Sequence, residues 1–293
     1  MFDFLQAVFD GVLFGTTYAL IGIGFTLVFG VMHKINMAYA AASIGAAYVG
    51  LVAAGALAAS GSAWVVFGLS FVFGGLFGWL VYVICFHLIP IRNENATLMS
   101  TVGLLLLIDE LISHATTGAP QSYPSAVEDV MLNLGGLSFR GDLIFVFVVS
   151  VIATAALLTL LYRTRLGLAT RAVAQQPVAA QLCGIRVVRV NALTFVITGL
   201  LGGIAGALIC SAVGTLSILI TGPLTVKGLI VTVIGGLGSV PGAIVAGLLV
   251  GGLENVFQYF RGVAERDLYV MLLMFAFLIF RPNGIFAKRL GRD

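Results

Sequence analysis

Few side chains in this 293-residue chain could do chemistry, and their spacing assigns them little of it. His33, His87 and His114 stand far apart, without the His-Glu-x-x-His pattern of a zinc protease, and Cys85, Cys183 and Cys210 lack metal-ligand spacing. Neither a metal site nor a disulfide framework is expected. There is no Gly-x-x-x-x-Gly-Lys-Ser/Thr phosphate loop and no Gly-x-Ser-x-Gly elbow, so the chain is not expected to hydrolyse ATP or to act as an enzyme. What remains are charges in apolar surroundings, where ionisable groups are costly and usually face a cavity or a partner. Glu254 follows Gly251-Gly252 well inside an apolar run and reads as a buried hydrogen-bonding group. Lys227 follows the Gly222-Pro223 break, and two readings stay open: a snorkel to the outer interface, or a pathway or packing role. Asp109 and Glu110, with His114 one turn on, form either a solvated helix end or a contact for an external partner.

A second constellation lies in the longest hydrophilic stretch, residues 163–190, which holds five arginines and no acidic residue. Within it, Pro177-Val178-Ala179-Ala180-Gln181-Leu182-Cys183-Gly184 reads as a helix of about two turns. Proline suits its first position and glycine its left-handed stop. Such a short helix is marginal alone in water. Val178, Ala179 and Leu182 form an apolar face that suits a partner's groove or, equally on spacing alone, a bed of lipid headgroups.

The elements that carry these residues follow from composition. With 60% hydrophobic and 9% charged residues, and a mean hydropathy of +1.12, the chain is an integral membrane protein. Its near-unbroken apolar runs are of helix-spanning length, without the alternation of a barrel strand. The fold expected is an all-α polytopic bundle of eight to ten segments, near 10–32, 37–58, 63–88, 97–115, 142–162, 190–213, 224–238, 242–259 and 267–281, forming one transmembrane domain over 1–293. The segments at 224–238 and 242–259 are short enough to be broken or tilted. The 37 glycines fit close helix packing. Lysines and arginines mark cytoplasmic loops. The island and the tail with Arg281, Lys288, Arg289 and Arg292 therefore lie inside, four spans apart, and the 116–141 loop with Pro120, Pro124, Glu128, Asp129 and Arg140 lies outside, as does the N-terminus. The start, Met1-Phe2-Asp3-Phe4, lacks the basic region of a signal peptide. The arginines inform topology, and nothing suggests nucleic acid. Residues 38–50 and 239–251 share a run of small residues, either a weak internal repeat or chance in glycine-alanine-rich helices.

The motifs in order resemble a known family. Ala179-Ala180-x-x-x-Gly184 resembles the EAA loop by which permeases of ABC importers dock onto their ATPases, with Val178 where the glutamate usually stands. Gly167-Leu168-Ala169-Thr170-Arg171-Ala172-Val173-Ala174-Gln175, Gly184-Ile185 and Arg189-Val190-Asn191-Ala192-Leu193-Thr194-Phe195 resemble the branched-chain amino acid permeases of the LivH type. So do Ile35-Asn36-Met37-Ala38, Gly235-Gly236-Leu237-Gly238-Ser239-Val240-Pro241-Gly242-Ala243 and Arg281-Pro282-Asn283-Gly284-Ile285-Phe286. Two departures stand out. Tyr39-Ala40-Ala41 replaces the usual histidine, glycine and glutamate, which lowers the polarity of that motif, and Gln175-Gln176-Pro177 lacks the acidic residue often found there.

The resemblance implies an importer permease for branched-chain or other hydrophobic amino acids, or related solutes such as amides, multi-pass in the bacterial inner membrane. It implies as partners a second, LivM-like permease, two cytoplasmic ATPases holding ATP and magnesium, a periplasmic binding protein and membrane lipid. The chain itself would bind no cofactor. Arg171, Gln175, Gln176, Pro177, Val178, Ala179, Ala180, Leu182 and Gly184 are the expected ATPase-coupling residues. Asn36, Tyr39, Gly235, Gly236, Gly238 and Ser239 are the expected pathway, because exposed backbone at helix breaks solvates a zwitterion without holding it tightly. The competing reading, an ion-coupled secondary transporter, needs a coupling carboxylate, for which Glu254 is the candidate; a substrate-gated channel would conduct without nucleotide.

Overall fold

The computed structural model describes residues 2–57, 62–89, 94–127, 131–134, 137–263, 265–281 and 284–286. Met1, Glu128, Asp129, Pro282, Asn283, Lys288, Arg289 and Arg292, named above, lie outside the described residues. In chain order the helices are α1 (Phe2–Met32), α2 (Tyr39–Ala56), α3 (Ala63–Val81), α4 (Glu94–Thr116), α5 (Gly141–Arg163), α6 (Arg165–Gln175), α7 (Pro177–Leu182), α8 (Val187–Val213), α9 (Thr221–Gly235), α10 (Val240–Arg261) and α11 (Arg266–Phe280). A π-helical turn, Tyr82–His87, prolongs α3, and a 3-10 turn, Ile218–Ile220, leads into α9. Eight of these segments are long and apolar enough to cross a membrane, so the chain is an all-α multi-pass bundle.

Several bounds differ from those expected, most of all at the start of α1, which begins at Phe2 and not near residue 10. α10 runs unbroken for 22 residues, because the small residues around Gly247 and Gly251 pack against α1 instead of interrupting the helix. α9 stops at Gly235, where Gly236 takes φ +99°, so the 224–238 segment is shorter at its end and longer at its start. α11 has 15 residues, about 22 Å, and does not reach spanning length alone.

α1 and α8 form the middle of the bundle, with 78% and 72% of their apolar windows buried; α4 and α5, at 22% and 28%, lie at its edge. α3 and α8 cross very closely. A Cβ added to Gly74 would stand 2.7 Å from the Gly203 Cα, and one on Gly199 would stand 2.8 Å from the Gly78 Cα. Lipid gives helices no hydrophobic reason to associate, so this backbone approach supplies the packing.

The two ends of the bundle differ. At one end Val31, at the close of α1, shares a small apolar core with Val173, Ala180 and Val190 of the arginine-rich island. The stretch after α11 returns to the same end, where the Ile285 and Phe286 N–H groups donate to the carbonyls of Ile234 and Gly235 at 2.8 and 3.3 Å. At the other end the Gln6 side chain donates to the Ser138 carbonyl at 2.9 Å, tying the start of α1 to the 116–141 loop. Island and residues 284–286 thus lie at one end, and the start of α1 and Ser138 at the other.

That loop is more structured than turn residues alone suggest. β1 (Gln121–Ser122) pairs antiparallel with β4 (Thr215–Leu216), and β2 (Met131–Leu134) with β3 (Leu137–Arg140). Tyr123, 3% exposed, pushes its ring into the bundle and places its hydroxyl 3.3 Å from that of Ser70. Burial raises the pKa of this hydroxyl, so it stays protonated.

Residues 38–50 and 239–251 each open a helix that starts at the island end, α2 at Tyr39 and α10 at Val240. Their surroundings differ: α2 packs on α3 and α8, α10 on α1.

Candidate functional site: coupling island, central cavity and buried charges

The island folds as two short helices on a small base. Thr164 caps α6, its hydroxyl accepting from the Gly167 N–H at 3.1 Å. Gln176, in extended conformation, precedes Pro177 at the first position of α7. The stop is a two-bond cap: the Gly184 N–H donates to the Gln181 carbonyl and the Ile185 N–H to the Ala180 carbonyl, both at 3.0 Å, with Gly184 at φ +83°. Ala180, 5% exposed, faces Val31, Val173 and Val190. Its neighbours point the other way. Val178 is 72% and Leu182 86% exposed, and Ala179 is exposed beside them. Gln175, Gln176 and Arg171 are exposed too, and the Arg171 guanidinium lies 5.2 Å from the Tyr162 ring centroid, which turns it toward α5. An exposed apolar face on a helix anchored from behind is of the kind that a partner's groove or a lipid surface covers.

Asn36 and Tyr39 lie one step deeper. The Asn36 side-chain oxygen accepts from the Ala38 N–H at 3.2 Å, which shapes the turn into α2. The Tyr39 hydroxyl donates to the Thr198 carbonyl on α8 at 3.1 Å, and its ring packs edge-on to Phe25 in the space left by Gly24 and Gly202. Together with Ser43, Gly78, Phe195 and Thr198 they line a cavity of about 10 Å³, room for a single water. Tyr39 therefore closes this space between α2, α3 and α8.

The glycine-rich segment is elsewhere. Gly235, Gly236, Gly238 and Ser239 form the turn between α9 and α10, where the Ser239 hydroxyl accepts from the Gly242 N–H at 3.2 Å. Gly284 packs on Gly236, and Gly238 meets Gly30. None of these residues lines the Tyr39 cavity, so the two segments expected to share a pathway are not brought together. The turn is instead held by the stretch after α11.

Lys227 and Glu254 meet. Their side chains, 8% and 4% exposed, form an ion pair of 2.8 Å between α9 and α10. Lys227 also reaches Asp267 at 2.9 Å and donates to the Tyr18 hydroxyl at 3.3 Å. Arg266 approaches Glu254 at 3.4 Å and donates to Gln258 at 3.3 Å. A lysine so enclosed does not snorkel; with a carboxylate on each of two neighbouring helices, it has its counter-charge inside. Arg266 and Asp267 were not among the expected site residues, because charges at the very start of the segment expected at 267–281 do not stand out as Lys227 and Glu254 do. The faint signal was their position directly ahead of an apolar run.

Asp109 is half-buried beside Thr221, while Glu110 and His114 are exposed. At the loop end an open cleft of about 240 Å³ lies between Ser125, Arg140, Asp142 and the end of α8 at Gly214. Arg140 and Asp142 form an exposed ion pair across its rim.

Comparison with known proteins adds a family to this geometry. The chain is 29% identical to the high-affinity branched-chain amino acid permease LivH of Salmonella typhimurium, covering 97% of this chain and 96% of that one. It is 28% identical to BraD of Pseudomonas aeruginosa, covering 98% and 97%. Among solved structures, an inward-facing metal-chelate type ABC transporter has the same fold, with a TM-score of 0.52 and 16% identity over 94% of this chain and 87% of that one. The family model for the permease component of branched-chain amino acid transport systems matches residues 7–281, and the chain belongs to that family.

Proposed function

We propose that this chain is the membrane-embedded permease subunit of an ATP-driven importer for branched-chain or other hydrophobic amino acids, in the bacterial cytoplasmic membrane. The observation that carries the reading is α7: Val178 and Leu182 held out into solvent on a helix anchored through Ala180, in a chain of this family. The partners are two cytoplasmic ATPases, which hold ATP and magnesium, a second LivM-like permease and an external binding protein. This chain moves substrate and does no covalent chemistry.

The contacts suggest how force passes inward. A partner groove that grips Val178 and Leu182 pulls on Ala180, and Ala180 packs on Val31 of α1 and Val190 of α8. α8 carries the Thr198 carbonyl that holds the Tyr39 hydroxyl, and Phe195 beside it lines the same cavity. Displacing α8 therefore loosens Tyr39 and opens the space it fills. The Lys227–Glu254 pair keeps α9 and α10 together while this happens. Glu254 is held by Lys227 between α9 and α10, which accounts for its burial without an ion-coupling role.

Purification of the tagged chain from its own membrane tests the reading. ATPase subunits should copurify, and their turnover in vesicles should rise when the loaded binding protein is added. Proton-driven uptake by the chain alone, without nucleotide, would sink the proposal.

A further inference from the structure

Residues 172–185, which include α7, carry no charge, whereas the corner where α5 ends and α6 begins carries Arg163, Arg165 and Arg171. Thr164 makes this corner sharp, and Gly167 lets α6 fold back against the Leu160 and Leu161 carbonyls. The fold-back brings Arg171 onto the Tyr162 ring. All three arginines are exposed, as are Tyr162 at 55% and Leu168 at 61%. No nearby sequence neutralises them, since the chain has no Asp or Glu between Asp142 and Glu254. The corner also stands where a 23-residue apolar span ends, so these side chains sit at the level of lipid headgroups. Guanidiniums without an ion pair among the described residues, beside an exposed tyrosine and leucine at that level, match an anionic headgroup above an acyl boundary. An acidic protein surface would satisfy the arginines but leave Tyr162 and Leu168 without an apolar phase.

We propose that Tyr162, Arg163, Arg165, Leu168 and Arg171 form a binding site for an anionic phospholipid of the inner leaflet. The guanidiniums take the phosphate oxygens, for which their forked donors are suited. Tyr162 holds Arg171 in place, and Leu168 enters the acyl boundary. A bound lipid then sets the height of α6, and with it α7, against the bilayer surface. The site stands whether or not the transport reading holds.

Native mass spectrometry of the purified complex, after exchange into vesicles of equal phosphatidylglycerol and phosphatidylcholine, tests it. The wild type should retain phosphatidylglycerol in excess, and that excess should fall about fivefold for each arginine removed in R163Q/R165Q/R171Q. The single Arg165→Gln, at an exposed position, guards against a folding defect and should lose about fivefold. Equal retention of the two lipids by the wild type, or an undiminished excess in either variant, overturns the proposal. Loss of ATPase subunits from the triple variant with the lipid excess intact would also overturn it, assigning the arginines to protein docking.

Discussion

The island and the charge cluster invert the usual rule of burial in opposite directions. α7 holds Val178 and Leu182 in solvent, while α9 and α10 hold Lys227 and Glu254 inside the bundle. An exposed apolar pair costs the folded chain little, because neither residue supports the core; Ala180 does that work from the other side of the same helix. A buried pair of charges has no such freedom. The two side chains are held 2.8 Å apart, and each ties its own helix to its neighbour's. On the proposed function, the first departure serves a partner and the second serves the chain's own assembly. Loss of α7's apolar face should therefore spare folding and impair coupling, and loss of one buried charge should do the reverse.

The largest effect should come from Lys227→Met or Glu254→Gln, which break the 2.8 Å pair and should cost up to about 3 kcal/mol, below the cost of a fully stranded charge because Asp267 or Arg266 remains beside the group left behind. Thermal unfolding in detergent measures this, and the double variant K227M/E254L should recover part of the loss. If the singles melt like the wild type, the pair is not a clamp. Next, Val178→Asp with Leu182→Asp should leave unfolding within about 0.5 kcal/mol, as expected at exposed positions. The same change should weaken ATPase retention by about 2 kcal/mol per anchor, read by copurification. A folding defect without loss of ATPase would erase the contrast. Smaller still, Gly184→Val forces a branched residue into the left-handed cap and should cost about 1–2 kcal/mol, with uptake falling because α7 loses its fixed end. The smallest change, Tyr39→Phe, removes one hydrogen bond to Thr198 and should cost about 1 kcal/mol. ATP turnover without binding protein should rise in this variant if Tyr39 restrains α8; unchanged turnover would confine the tyrosine to packing.

Legibility followed the range of the interaction. Pro177 and Gly184 marked the ends of α7 because first-turn and last-turn requirements are local to a few residues. Lys227 and Glu254 stood out because charge in an apolar run is conspicuous, yet nothing in their spacing of 27 residues said they touch. Arg266 and Asp267 escaped notice because a charged residue at a helix start looks the same whether it meets water or a buried lysine. The pairing of β1 with β4 joins residues more than 90 apart, across two spans, and two-residue strands carry no periodicity to read. The glycines at 235–242 resembled a pathway because glycine at a helix break fits either an opening or a tight turn. The Gly284 and Ile285 contacts choose the turn.

Composition and local pattern alone decided that this chain is a helical membrane bundle with a basic island that carries a short capped helix. Apolar length, arginine placement and helix caps are each properties of a short stretch. Tertiary structure alone decided which charges pair, that Tyr39 closes a cavity with α8, and that Ala180 faces inward while Val178 and Leu182 face out. Those outcomes depend on which helices become neighbours, and in lipid that choice rests on close backbone fit between distant segments, such as Gly74 and Gly78 against Gly199 and Gly203.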